Sequence, residues 1–188
     1  TRVVDPETGE AFLEYVDRSG RGLGNQGWKD SFDSVQWADG RLADAPIALS
    51  EVQAYAYEAA TGAAQLLRAL VRPGADEWDE WAAQLADRFR ARFWTEDVDG
   101  AYPGIALDRD KRLVDGIASN MGHLLWCDLP SDDEAAQVAQ HLTGPALASG
   151  WGLRTLSHEM AGFNPISYHV GSVWPHDTAI ACEGLRRY

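Results

Sequence analysis

The chain has 188 residues, 45% of them hydrophobic and 24% charged, the composition of an ordinary globular domain. Its 29 acidic residues against 16 basic ones give a net charge of −13. No basic stripe is left to displace counterions from nucleic acid or to dock on an anionic membrane, and no apolar run is long enough to span one.

Residues 1–23 are mixed, with Val3-Val4 and Phe12-Leu13-Glu14-Tyr15 as short extended or helical pieces. Gly20, Gly22 and Gly24 lead into Gly24-Asn25-Gln26-Gly27-Trp28-Lys29-Asp30-Ser31. This polar loop sets an aromatic, a cation and a carboxylate in three consecutive positions. Residues 22–27 also spell GxGxxG. No buried strand precedes that match and no apolar helix follows it, so a dinucleotide site is discounted. Residues 31–47 continue as loop. Val52, Ala56, Ala59, Ala63, Leu66, Leu67 and Leu70 then recur at steps of three and four. They predict a helix capped by Ser50 and ended by Pro73-Gly74. Alanines on more than one side predict that it is an inner helix, buried on most faces. A second helix over 76–94, capped by Asp76, carries Trp78, Trp81, Ala82, Leu85, Phe89 and Phe93 on one face and charges on the other. That is an amphipathic outer helix, and the two make an αα-hairpin.

Residues 95–116 carry turn signals at Asp99-Gly100 and Pro103-Gly104, with a short strand predicted at Ile105-Ala106-Leu107. A third helix is predicted over 117–127 and a fourth from Ser131, whose capping box is completed by Glu134. Residues 144–172 read as loop, and a fifth helix runs from Val173 to the end. Helix pairs, inner then outer, joined by long polar loops predict an all-α fold, part of an (α/α) barrel with its loops clustered at one end. Because it starts at Thr1 and stops at Tyr188 inside a helical pattern, residues 1–188 read as a single segment of a longer chain.

The chemistry-bearing residues fall in three loops. In the first, Trp28 offers a flat face for a sugar ring, and Asp30 beside it is a candidate general acid, since desolvation by an aromatic raises a carboxyl pKa. The second is Trp151-Gly152-Leu153-Arg154-Thr155-Leu156-Ser157. The third runs from Asn164 to Asp177 and packs Tyr168, His169, Trp174, His176 and Asp177 into ten residues. Stacking and hydrogen-bonding groups at that density suit a polyhydroxylated ligand. Of eight tryptophans, Trp28, Trp37, Trp126, Trp151 and Trp174 lie in loop-like contexts, where sugar stacking and core capping remain equal readings. Asp177 is equally a binding residue or a structural one.

Competing motifs are weaker. A zinc site from His169, His176 and Asp177 matches no standard ligand spacing. His158-Glu159 lacks the second histidine of a zinc protease, and no GxSxG is present. Asp132-Asp133-Glu134 reads as a solvated helix start. Cys127 and Cys182 have no CxxC partners and read as reduced, buried thiols of a cytoplasmic protein.

Residues 25–31, Gly152-Leu153-Arg154-Thr155-Leu156-Ser157 and the stretch Tyr168-His169-Val170-Gly171-Ser172-Val173-Trp174-Pro175-His176-Asp177 together resemble the glycogen-debranching, amylo-α-1,6-glucosidase-like glycoside hydrolases. The resemblance implies an (α/α)6 barrel and inverting hydrolysis of an α-glucosidic bond in an oligosaccharide or α-glucan, with no cofactor or metal. It maps the general acid onto Asp30 and the sugar pocket onto Tyr168, His169, Trp174 and His176; Trp28, which can stack on a ring, and Gln26, Lys29 and Arg154, which can donate to hydroxyls, are further candidate sugar-binding residues. It places the general base, a glutamate, beyond the helix that ends at Tyr188, with Asp33 and Glu159 as substitutes within the chain. The other reading is a carbohydrate-binding or scaffold domain with an incomplete site. An exposed inner-helix surface would favour a homodimer.

Overall fold

The computed structural model describes residues 2–4 and 11–188; Thr1 and residues 5–10, part of the mixed opening stretch, lie outside the described residues. The strands are β1 (Arg2–Val4), β2 (Ala11–Leu13), β3 (Ala48–Leu49), β4 (Trp94–Asp97), β5 (Gly100–Pro103), β6 (Ala106–Leu107) and β7 (Leu113–Val114). The helices are α1 (Ser50–Ala69), α2 (Ala75–Phe93), α3 (Met121–Trp126), α4 (Asp132–Thr143) and α5 (Pro175–Arg187).

The inner–outer order holds. α1 packs on α3 and α3 on α5, while α2 sits against α1 and α4 against α3. α2 turns Ala82, Leu85, Ala86, Phe89 and Phe93 inward. Phe89 stacks on Phe93 at 4.5 Å, and Phe12 meets Phe93 edge-on at 5.4 Å. Each such buried ring contributes roughly 1.5–3 kcal/mol. α3 and α5 approach so closely that a Cβ on Gly122 would lie 2.5 Å from the Ala181 Cβ, and one on Gly184 2.7 Å from the Leu125 Cβ. Only glycine allows that contact.

An all-α reading is incomplete, because short antiparallel strands brace the loops. β1 pairs with β2, β4 with β5, and β3-β6-β7 form a three-stranded sheet. The β4–β5 hairpin closes on the Asp99-Gly100 turn, where the Asp99 N–H donates to Asp97 Oδ1 at 2.8 Å. Two caps also differ from their expected places. Ser50 is the first residue of α1 rather than its cap, because its N–H donates to the Ile105 carbonyl at 3.0 Å. Gly74, in a left-handed conformation, stands at the N-cap of α2, and Asp76 falls in the first turn, bridged to Arg68 at 2.7 Å. α3 starts at Met121, later than its apolar spacing predicts, because Ala118 is bridged to Leu156. The Ser131–Glu134 capping box of α4 is present as expected.

α1 is less enclosed than its alanines suggest. Glu51, Gln53, Ala54, Ala60 and Ala64 are buried, while Tyr55, Leu66 and Leu70 are exposed. Both cysteines are free thiols, with Cys127 buried as expected but Cys182 exposed. Among the described residues no helix is long and apolar enough to cross a membrane.

Candidate active site

The first loop is built around Asn25. Its buried side chain accepts from Tyr15 Oη at 2.7 Å and donates to the Ser31 carbonyl at 2.7 Å and to Ser34 Oγ at 3.1 Å. The Ser34 hydroxyl donates in turn to the Lys29 carbonyl at 2.6 Å. At position 27 a Cβ would come within 2.3 Å of Leu49 Cδ1, so the turn requires glycine. The loop held in this way half-exposes Trp28 and Asp30 and buries Lys29.

The third loop folds back over Trp28 as an aromatic wall. His169, Trp174 and His176 meet the Trp28 ring edge-on at 5.3, 6.2 and 4.9 Å, and His123 of α3 stacks on it at 5.8 Å. Tyr168 lies 4.1 Å from the His169 ring and 5.1 Å from that of Trp174, whose Nε1 donates to the Tyr168 carbonyl at 2.8 Å. His169 Nδ1 is 3.1 Å from Ser31 Oγ and 3.9 Å from Asp30 Oδ1. Burial and the Lys29 charge lower the His169 pKa, against the pull of Asp30, Asp33 and Asp177. Its imidazole is therefore neutral at pH 7. The Asp30 side chain is 45% exposed, so Trp28 alone does not desolvate it.

Beneath Trp28 lies a buried polar floor. Lys29 Nζ donates to the Thr155 carbonyl at 2.5 Å and sits 5.1 Å from the Trp28 ring centroid. Burial draws the Lys29 pKa down to about 8, with Asp177 and Glu51 opposing the shift. The Thr155 Oγ1 accepts from the Gly171 N–H at 2.9 Å and donates to the Ser172 carbonyl at 3.0 Å, so Lys29 ties the Asp30 loop to the aromatic wall. His123 bridges Tyr55 Oη at 2.5 Å and Asp177 Oδ1 at 2.8 Å. Burial works to raise the Asp177 carboxyl, but His123, Lys29 and the Ser119 hydroxyl hold it below the usual range. Asp177 also lies in the first turn of α5, where the helix dipole favours a carboxylate.

Glu51, in the first turn of α1, is wholly buried, and neither of its carboxylate oxygens closes a hydrogen bond of good geometry among the described residues. Burial raises its pKa, offset in part by the Asn120 amide, His123 and Lys29. A raised carboxyl pKa means that folding binds a proton, so stability falls as pH rises above the unfolded value of 4.5. Glu51→Gln is therefore expected to raise the melting temperature at pH 7, with a gain that shrinks as pH falls towards 4.5. In a domain of this size each kcal/mol recovered appears as about 2–4 °C. Scanning calorimetry of both proteins across that range decides it; a gain that grows on acidification would contradict the burial argument.

Trp28, Lys29, Asp30, Tyr168, His169, Trp174 and His176 are thus brought together. Gln26 is exposed, and Arg154 Nη1 donates to the Pro145 carbonyl at 3.1 Å, bracing its own loop. Glu159 is exposed, and Asp33 is half-buried three residues beyond Asp30. Sequence reasoning missed Glu51, Ser119, Asn120 and His123, and saw Asp177 only as one of two alternatives. The one available signal was the polar run Ser50, Glu51, Gln53 at the head of an apolar helix. Among the described residues, no three His, Cys, Asp or Glu side chains converge as metal ligands.

The profile of the mannosylglycerate hydrolase MGH1-like glycoside hydrolase domain matches residues 12–188. The chain belongs to this glycoside hydrolase family. Its fold has the (α/α)6-type pattern of solved glycosidases. The neutral trehalase of Saccharomyces cerevisiae superimposes with a TM-score of 0.62 at 17% identity, over 84% of this chain and 31% of that one. A sialidase superimposes with a TM-score of 0.67 at 15% identity, over 87% of this chain and 15% of that one. The chain therefore spans less than a third of either structure, and at these identities the likeness is one of fold. No curated protein sequence gives a significant match.

Proposed function

We propose that this domain acts in the inverting hydrolysis of an α-glucosidic bond, in the manner of the glycogen-debranching amylo-α-1,6-glucosidases, with Asp30 as general acid. The observation that carries the reading is Asp30 itself, a half-exposed carboxylate beside an aromatic wall of Trp28, Tyr168 and Trp174, with a neutral His169 3.9 Å away. Sugar rings present apolar CH faces to such walls and hydroxyls to their edges. A carboxyl group held there, and covered by the bound sugar, can protonate the glycosidic oxygen. His169 and His176 face the same wall and supply hydrogen bonds to hydroxyls.

The test is saturable quenching of tryptophan fluorescence by maltose, isomaltose, trehalose and mannosylglycerate, run alongside hydrolysis of the same sugars. α-Glucosides are expected to bind, and Trp174→Leu is expected to weaken them about tenfold, the scale of one lost stacking contact. Binding of none of the four, or binding indifferent to Trp174→Leu, would remove the sugar-site reading. Binding without hydrolysis would favour a carbohydrate-binding domain.

A further inference from the structure

We infer that Glu51, Ser119 and Asn120 form a hydrogen-bonding floor that takes hydroxyl groups from one edge of the sugar ring held by the aromatic wall. The inference rests on the sugar-site reading above and assigns the part of that site which recognises the ring.

Three side chains of the floor are almost wholly buried: Glu51 at 0%, Ser119 at 0% and Asn120 at 2% exposure. Both oxygens of Glu51, both side-chain atoms of Asn120, the Ser119 hydroxyl, Trp28 Nε1 and Asp177 Oδ2 close no hydrogen bond of good geometry among the described residues, although the Asn120 amide faces Glu51 and the Ser119 hydroxyl faces Asp177. Native proteins leave few such groups, and those they leave call for a partner. Here they gather on neighbouring residues. Asp177 is bonded to His123, His123 stacks on Trp28, and a Cβ on Gly27 would lie 3.1 Å from Glu51 Oε1. Ser119 and Asn120 sit just before α3, and Glu51 and Asp177 lie in the first turns of α1 and α5.

The chemistry of these atoms selects the ligand class. The carboxylate oxygens of Glu51 and Asp177 accept, Trp28 Nε1 donates, and Asn120 and Ser119 do both. Adjacent hydroxyls of a pyranose each donate and accept, so a vicinal pair satisfies a carboxylate and an amide together. Phosphate or carboxylate ligands are disfavoured, since the carboxyl groups of Glu51 and Asp177 already face Lys29 and His123. The floor also works against the fold. Burial of the Glu51 carboxyl costs stability, a cost that function commonly imposes at a site. Because Gly27 and Trp28 roof the floor, sugar binding displaces that turn, and Trp28 fluorescence reports the movement.

The experiment is a titration of the whole chain with glucose and its 2-, 3-, 4- and 6-deoxy analogues, followed by intrinsic tryptophan fluorescence and calorimetry. In the wild type, one or two deoxy sugars are expected to bind about 10- to 100-fold more weakly than glucose, the worth of a hydrogen bond to a charged group. Glu51→Gln is expected to remove that difference while raising the melting temperature, which a purely structural residue would not do. A Glu51→Gln protein with the wild-type deoxy pattern overturns the inference and leaves the sugar site standing. A flat wild-type series overturns it also, whether or not the variant folds, and Asn120→Ala provides the same comparison in a second protein. Failure of every sugar to bind the wild type removes the functional reading and this inference together.

Discussion

Asp177→Ala is expected to destabilise the domain by roughly 3–5 kcal/mol, the scale of removing one partner from a buried charge pair. Asp177 is fully buried, and its carboxyl is held below the usual range despite burial, so the fold favours its charged form. Deletion removes the bond to His123 Nε2 and leaves Lys29 with only Glu51 to oppose its desolvation. The pH dependence follows from Lys29. Its folded pKa of about 8 lies below its usual 10.5, so the unfolded state binds more protons between those values and wild-type stability rises with pH there. Without Asp177 the Lys29 pKa falls further, and the variant begins this recovery at lower pH. By pH 9 Lys29 is largely neutral in both proteins. The deficit of Asp177→Ala should therefore be larger at pH 7 than at pH 9. Urea unfolding at the two pH values measures it. A deficit below about 1 kcal/mol, the worth of an exposed pair, or one that widens with pH, would mean that Lys29 and Asp177 are not coupled.

Local rules were legible where local atoms decide the outcome. The α4 capping box needs only Ser131 and Glu134, and both bonds form. α5 starts at Pro175, two residues after the Val173 start expected from the sequence, because proline favours the first helical position and Val173 is instead bridged to Arg154. The rules failed where a distant strand supplied the partner. Ser50 has the side chain of a cap, but Ile105, far along the chain, takes its N–H. The same holds for the site. Trp28, Asp30, Tyr168, His169 and Trp174 lie in loops without an apolar pattern to explain them, so their composition announced them. Glu51 (in the short polar run Ser50, Glu51, Gln53) and His123 lie within helical stretches, where a polar position ordinarily faces water. That they point inward depends on α1, α3 and α5 lying side by side, and no local spacing encodes that arrangement.

Asp30→Asn is expected to lower kcat for hydrolysis of maltose or isomaltose by about 10²- to 10⁴-fold, the usual contribution of a general acid, with little change in KM. Asparagine preserves the shape of the side chain and its approach to His169 but carries no transferable proton. The aromatic wall of Trp28, Tyr168 and Trp174 stays in place, so binding of the sugar should persist. Protonation matters most for a poor leaving group. A dinitrophenyl α-glucoside, whose leaving group departs as a stable anion, should therefore lose far less activity in the variant than maltose does. The high-pH limb of the kcat profile for maltose, which reports loss of the acid's proton, should disappear in the variant for the same reason. Equal losses on both substrates would assign Asp30 a role in positioning rather than proton transfer. Unchanged maltose hydrolysis would move the acid to another carboxylate, and the nearest candidate on the same loop is Asp33.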